Sequence, residues 1–490
     1  NMSAFQARKD GVLVSKGSYI MFADADDSLA DEACDVLWNL LKNEHFDIIH
    51  FGTEVISAIS DKKRLDGYKK LINPRDEKLY ENDIFNSFVE RNFEGHLWNK
   101  IFCADLAKYV LQNVENKVLP KGQDKYFYWM VAYYAKSYMG CPNLKLYNYY
   151  YGSGVEGKAA YGIKEFELFC KQAWTENAIE EFMINQNLND KYDEALHKSR
   201  KNLLRHTVRQ IDRLGIDERT QAINELHKYW NKEGDSAEIV TALCDFYKDK
   251  QEEITQFFTL DNIPKEKHIR TIGTYYHFFS NGGIQRVLAK LMEIWIKTGY
   301  EVVFFTDYAE SPDDYELPEG VKRVTLSLNG NSAERNYGER GKSLEELIRE
   351  NKVDVMVYHE YFGRSMLWDM MLCQLLDVPF IIYYHNTFSK FIATYEKQFY
   401  TIPKIAKMAD GMVVLSDTDK RFLSAFNGNV SVIKNPLVFE LNEIKQSKLK
   451  NNIIVWVGRL DELHKRFQEP IDLMADLICF QRIGISRQIA

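Results

Sequence analysis

The rhythm of hydrophobic and polar positions changes three times along the chain. Residues 1–155 mix short apolar runs of strand type, such as 19–22 and 48–51, with helical stretches. From 156 to about residue 265 strand signals nearly vanish. Stretches 165–183, 190–213 and 217–230 instead carry apolar residues at helical spacing among charges. From Ile269 the texture changes again. Runs 269–276, 301–306, 353–358, 380–384, 411–415 and 453–457 are short and rich in Val, Ile and Tyr. Helical patterns at 284–298 and 344–350 lie between several of them. Strand–helix alternation of this kind predicts an α/β fold with a parallel sheet covered on both faces. A chain of 490 residues also exceeds what one core serves, so two or three domains are expected.

Composition narrows the function classes. With 45% apolar residues the chain can fill sizeable cores, which argues against wholesale disorder. A formal charge of −8 gives no basic footprint for a nucleic-acid partner. Seven scattered cysteines, none in a CxxC pair, fit reduced thiols of a cytoplasmic protein and not a disulfide scaffold or zinc site. No apolar run reaches the ~18–20 residues that span a bilayer, so membrane contact is expected to be peripheral.

Chemistry concentrates first at residues 19–27. The run Tyr19-Ile20-Met21-Phe22 leads into Ala23-Asp24-Ala25-Asp26-Asp27. Carboxylates so close repel one another unless a cation or solvent compensates. Alternation at a strand's end sets Asp24 and Asp26 on one side, where hard oxygen ligands suit Mg²⁺ or Mn²⁺ and a diphosphate. The plainer alternative is an acidic turn, with Asp27 or Ser28 capping a helix that starts at Leu29.

The surrounding residues bear on that choice. Ala7-Arg8-Lys9-Asp10-Gly11, Lys16-Gly17-Ser18-Tyr19-Ile20 and the acidic cluster together resemble family 2 glycosyltransferases of the GT-A fold. The resemblance implies that Asp24 contacts the donor nucleoside and that Asp26 holds the metal. Leu97-Trp98-Asn99-Lys100-Ile101-Phe102 resembles a family segment near the acceptor, which assigns Trp98, Asn99 and Lys100 to the acceptor side. Gly122-Gln123-Asp124-Lys125-Tyr126-Phe127 resembles the element carrying the general base, which falls on Asp124, with Gln123 where Glu is usual. A carboxylate suits that role because it must take a proton from the acceptor hydroxyl. The alternative for Asp124 is a residue capping the aromatic helix 126–134. By the same resemblance some 80–90 residues of such a domain would precede Asn1.

A second site is suggested near residue 282. Asn281-Gly282-Gly283-Ile284-Gln285-Arg286 follows a strand and opens a helical pattern. Paired glycines there let backbone N–H groups approach an anion, although a tight turn without a ligand is the commoner case. Further on, Val457-Gly458-Arg459-Leu460-Asp461 continues to Lys465, two cations able to clamp a diphosphate. These segments, with 414–423 and 432–437, resemble family 4 glycosyltransferases of the GT-B fold. The resemblance places donor contacts on Gly283, Arg459 and Lys465, and sets His385 near the transferred sugar. It also puts the family's paired glutamates beyond residue 490, with an uncharacteristic tail after Leu477.

The expected organisation is therefore a GT-A domain at 1–155, a helical middle at 156–265, a Rossmann-like GT-B domain at 266–450 and the start of a donor domain at 451–490. The first half would be inverting and use Mn²⁺ or Mg²⁺; the second would be retaining and need no cofactor. Expected partners are a nucleotide-sugar donor, of the UDP class by resemblance, and a glycan or polyprenyl-linked acceptor of bacterial surface polysaccharide synthesis. Self-association through the middle helices is a further expectation, at the inner face of the cytoplasmic membrane or free in the cytoplasm. The competing class is a catalytically inactive glycan- or nucleotide-binding scaffold.

Overall fold

In the computed structural model the described residues are 4–57, 62–91, 95–114, 117–151, 162–258, 268–280, 282–326, 337–359, 365–387 and 402–437. All but the last two belong to one unit, Asn1–Asn435. Arg459 and Lys465 lie outside the described residues.

The first sheet is mixed. Its strands are β1 (Tyr19–Met21), β2 (Ser28–Leu29), β3 (Ile48–Ile56), β4 (Glu77–Tyr80), β5 (Lys100–Cys103) and β6 (Ser137–Tyr150). They run in the order β1-β5-β3-β6-β2, with β4 also on β6. Only β3 and β6 are parallel. Successive side chains of a strand face opposite sides, and the cores divide accordingly. Ile48 and Phe102 join the helices Ala4–Val14 and Gln123–Tyr134 on one face. Ile49 and Ile101 join Leu37, Trp98 and Tyr147 on the other. A helix starting at Leu29 is not formed. Ser28 and Leu29 pair with Asn148 and Tyr147, and the helix begins at Ala33. The reason is Asp27, whose carboxylate accepts hydrogen bonds from Tyr147 Oη (3.0 Å) and Tyr150 N (2.9 Å), tying the acidic turn to β6.

The middle region is helical as its periodicity requires. The 165–183 pattern breaks at Lys171 into Ile163–Cys170 and Gln172–Asn185. Asn189–Arg209 and Ile216–Tyr229 follow. Asp235–Tyr247 and Gln251–Phe257 are further helices that the pattern had not singled out. These helices share apolar cores with both neighbours. Ala178, Ile179 and Met183 pack with the first sheet's helix-covered face. Phe166, Leu204, Trp230 and Leu243 share a core with Trp368, Met370 and Leu372 of the last part.

That last part is a seven-stranded parallel sheet. Its strands are β7 (Thr271–Tyr275), β8 (Glu301–Thr306), β9 (Val321–Thr325), β10 (Val355–Tyr358), β11 (Phe380–Tyr383), β12 (Gly411–Val414) and β13 (Val430–Val432). The order β13-β12-β11-β10-β7-β8-β9 reverses direction between β7 and β10. All pairings are parallel. This is the Rossmann arrangement, and ligands of such sheets gather beyond the carboxyl ends of the strands at the reversal. The helix Gly283–Lys297 follows β7 and buries Gln285, Leu288, Leu291 and Met292, one stripe at helical spacing.

Candidate functional site

The first cluster forms where the chain leaves β1. Asp24 and Asp26 sit in the loop between β1 and β2, while Asp124 comes from the first turn of Gln123–Tyr134. Arg8, on the helix Ala4–Val14, draws them together. Its guanidinium hydrogen-bonds Asp124 Oδ1 and lies 3.8 Å from Asp24 Oδ1. Residues a hundred positions apart thus converge on one cation. Burial, then the Asp124 charge, push the Asp24 carboxyl above its ordinary range, and Arg8 works against both. Among the described residues nothing donates to Asp124 Oδ2. Asp124 caps nothing through its side chain, since the helix is preceded by Gly122 in the left-handed region at φ 82°. Asp27 is committed to β6, so of the three acidic residues Asp24 and Asp26 are the ones whose carboxylates could hold a divalent ion.

The acceptor-side assignment needs correcting. Trp98 is buried and stacks on Tyr147 at 4.9 Å and Tyr149 at 5.0 Å. Asn99 donates to Ile72 O at 2.8 Å. Lys100 donates to His96 O (2.5 Å) and Asn99 Oδ1 (2.9 Å), and its ammonium lies 4.8 Å from the Tyr128 ring centre. Asn99 and Lys100 are 0% exposed. Their side chains are buried and engaged with buried partners, so they do not present a face to an acceptor.

The second cluster lies at the carboxyl edge of the parallel sheet. Gly283 opens its helix directly after β7, and a Cβ there would meet nothing within 4 Å. Gly282 has φ −166°, extended backbone that any residue adopts, so the turn does not demand glycine by its torsion. Open space at Gly283 leaves the N-terminus of this helix accessible, a place where a helix can receive an anion. His385 leaves β11, and its Nε2 lies 2.8 Å from Nδ1 of His359, which leaves β10. Burial pushes the His385 pKa down to about 4, while the Asn435 side chain pulls the other way. Sequence reasoning missed His359, although it ends a strand just as His385 does.

It missed a charged network too. Arg340, 0% exposed, donates to Asp369 Oδ2 (2.6 Å) and Asp307 Oδ1 (2.5 Å). Tyr358 Oη donates to Asp369, and Tyr275 Oη to Asp307, each at 2.8 Å. His277 Nδ1 is 2.7 Å from Asp307 Oδ2. This network pins the ends of β7, β8 and β10 to the helices Tyr337–Glu350 and Met366–Leu375. No local motif announces it, because its members lie far apart in sequence.

Residues 281–440 match the model of Glycosyltransferase Family 4. The match supports a family 4 glycosyltransferase domain over that stretch, about a third of the chain. It contains Gly283, His359, His385 and, of the charged network, Asp307, Arg340, Tyr358 and Asp369. No curated protein matches the chain in sequence. Among solved structures it is similar to WaaG, a glycosyltransferase involved in lipopolysaccharide biosynthesis. That likeness has 11% identity and a TM-score of 0.23, covering 33% of this chain and 44% of that one. A glycosyltransferase from Rickettsia africae gives 13%, a TM-score of 0.24, and coverage of 34% and 43%. S. aureus TarS 1–349 in complex with UDP-GlcNAc gives 14%, a TM-score of 0.29, and coverage of 52% and 70%. The chain thus spans less than half the length of the first two. TM-scores of this size establish no shared fold over the whole chain. Among the described residues no helix is long and apolar enough to cross a membrane, and no disulfide joins the cysteines.

Proposed function

We propose that the chain is a glycosyltransferase drawing on nucleotide-sugar donors, with a metal-dependent inverting site in its first half and a retaining GT-B site in its second. The observation that supports the second-half site is the family 4 match over β8 to β13 of the Rossmann sheet, at whose carboxyl edge lie Gly283 and His385. In the second half the N-terminus of Gly283–Lys297 receives the donor phosphates and His385 faces the sugar; the family resemblance gives Arg459 and Lys465, outside the described residues, the diphosphate clamp. In the first half Asp124 takes the acceptor proton through Oδ2, while Arg8 holds Oδ1 and so fixes the carboxylate's orientation. A divalent cation held by Asp24 and Asp26 would neutralise the leaving diphosphate. A glycan or lipid-linked acceptor at the inner membrane face, in surface polysaccharide synthesis, completes the reading.

Calorimetry of the full chain with UDP, GDP and UDP-GlcNAc tests it. A nucleotide should bind, and Gly283→Val should weaken that binding about tenfold by filling the open space, with the melting temperature unchanged. Absence of nucleotide binding, with no sugar release from UDP-GlcNAc, would sink the reading. Binding without any turnover would favour the scaffold class instead.

A further inference from the structure

The His359–His385 pair holds more than the His385 assignment uses. Strands β10 and β11 are parallel neighbours, with Tyr358 opposite Ile382, so their carboxyl ends bring the two imidazoles together. The His359 backbone N–H donates to Tyr275 O at 3.1 Å, which anchors it to β7 as well. Both rings stack on Tyr383, His359 at 5.1 Å and His385 at 4.5 Å. Ring positions are therefore set by the sheet and the stack, not by the solvent.

Two neutral imidazoles joined by one hydrogen bond share a single bridging proton, so the tautomer of one dictates that of the other. The outer nitrogens, His359 Nε2 and His385 Nδ1, are both buried and have no hydrogen-bond partner among the described residues. One of them must carry a proton and the other a lone pair. An orphaned buried N–H is the rarer arrangement in proteins, so the proton belongs where a partner can reach it. His359 is only 2% exposed, whereas His385 is half-buried. The Asn435 side chain also approaches His385 and favours a protonated ring, though its geometry falls short of a hydrogen bond to Nδ1. The assignment follows: His359 Nδ1–H donates to His385 Nε2, and His385 bears its proton on Nδ1.

We propose that His359 is a positioning residue that holds His385 in the Nδ1–H form, so that His385 offers a fixed N–H donor to an oxygen of the sugar nucleotide. Its ligand rests on the glycosyltransferase reading, but the tautomer does not. Burial pushes both imidazoles well below their ordinary range, which keeps the donor neutral.

Histidine-selective ¹⁵N labelling of the full chain, read by long-range ¹H–¹⁵N correlation at pH 7, tests the tautomer without any ligand. His385 should show Nδ1 protonated and Nε2 bare. His359→Phe keeps a ring on Tyr383 but removes the donor, and should release His385 toward the Nε2–H form. His359→Asn, whose amide can donate where Nδ1–H stood, should restore the wild-type spectrum. An Nε2–H form in the wild-type chain overturns the proposal, and that measurement needs no variant to fold. So does a spectrum unmoved in a folded His359→Phe. A second arm compares UDP-GlcNAc with UDP. His359→Phe should lose about tenfold in affinity for UDP-GlcNAc and nothing for UDP, and equal loss for both overturns the donor role. If neither nucleotide binds the wild-type chain, the glycosyltransferase reading fails and the donor role with it, while the spectra still decide the tautomer.

Discussion

Arg8 stands between Asp24 and Asp124, where the acidic run together with its family resemblance called for a metal. Its guanidinium relieves part of the repulsion that a divalent cation would relieve, so the two compete for Asp24. Replacing Arg8 by Met removes that competitor, and Mn²⁺ should then bind about fivefold more tightly, the scale of one exposed ion pair. Electron paramagnetic resonance titration of Mn²⁺ measures this; unchanged affinity would remove Asp24 from the ligand set. Asp124 is tested by Asp124→Asn, which keeps shape and hydrogen bonding but loses basicity. Turnover should fall by ~10²-fold or more with donor affinity little changed. Steady-state kinetics beside a binding isotherm separates the two quantities, and unchanged turnover would return Asp124 to a structural role. Of this cluster, the sequence showed the carboxylates and their context. It did not show that Arg8 spans them, because the contact joins a helix, a loop and another helix more than a hundred residues apart.

Elements here are held by capping that crosses between segments. Glu345, on Tyr337–Glu350, accepts from Gly234 N (3.1 Å) and Ala237 N (2.8 Å) at the start of Asp235–Tyr247. Its carboxylate thereby meets donors that a helix N-terminus leaves unpaired and sits at the positive end of the dipole. Arg349 pairs with it from one turn on, at 2.9 Å. Glu345 is 1% exposed, so its loss strands buried backbone donors. Glu345→Ala should cost about 2 kcal/mol, the upper range for a lost cap. Glu346→Ala, on the exposed side of the same helix, should cost nearly nothing. Urea unfolding of both variants checks this, and equal midpoints would show that the cap does not stabilise. Nothing in residues 230–247 announces the partner. Gly234, Asp235 and Glu238 mark the helix start locally, but the carboxylate that meets its first N–H groups comes from a hundred residues away.

Across the whole molecule, buried ionisable groups make stability depend on pH in two steps. Burial depresses His385 from 6.5 to about 4, so the fold excludes a proton that the unfolded chain accepts. That contribution is complete above pH 6.5 and fades as pH falls toward 4. Asp307 is depressed from 3.8 to about 2 by hydrogen bonding to His277 and by Arg340, against its burial. Its contribution, about 2 kcal/mol, is present above pH 4 and fades as pH falls toward 2. Melting temperature against pH should therefore drop first between 6.5 and 4. His385→Phe should shrink that first step, to which buried His50 and His359 also contribute, and leave the second; a first step unaltered by the variant would exclude His385 from it. Period and spacing in the sequence determined a good deal: the α/β alternation, the helical middle, the strand-end carboxylates and the strand-end His385 are all local, repeating signals. What the helices of the middle region pack against, which cation meets Asp124, why Lys100 lies buried and how His359 reaches His385 were decided only in three dimensions. Each depends on strand order and on contacts between distant segments, and the free energy of such contacts depends on proximity in space, which spacing along the chain does not encode.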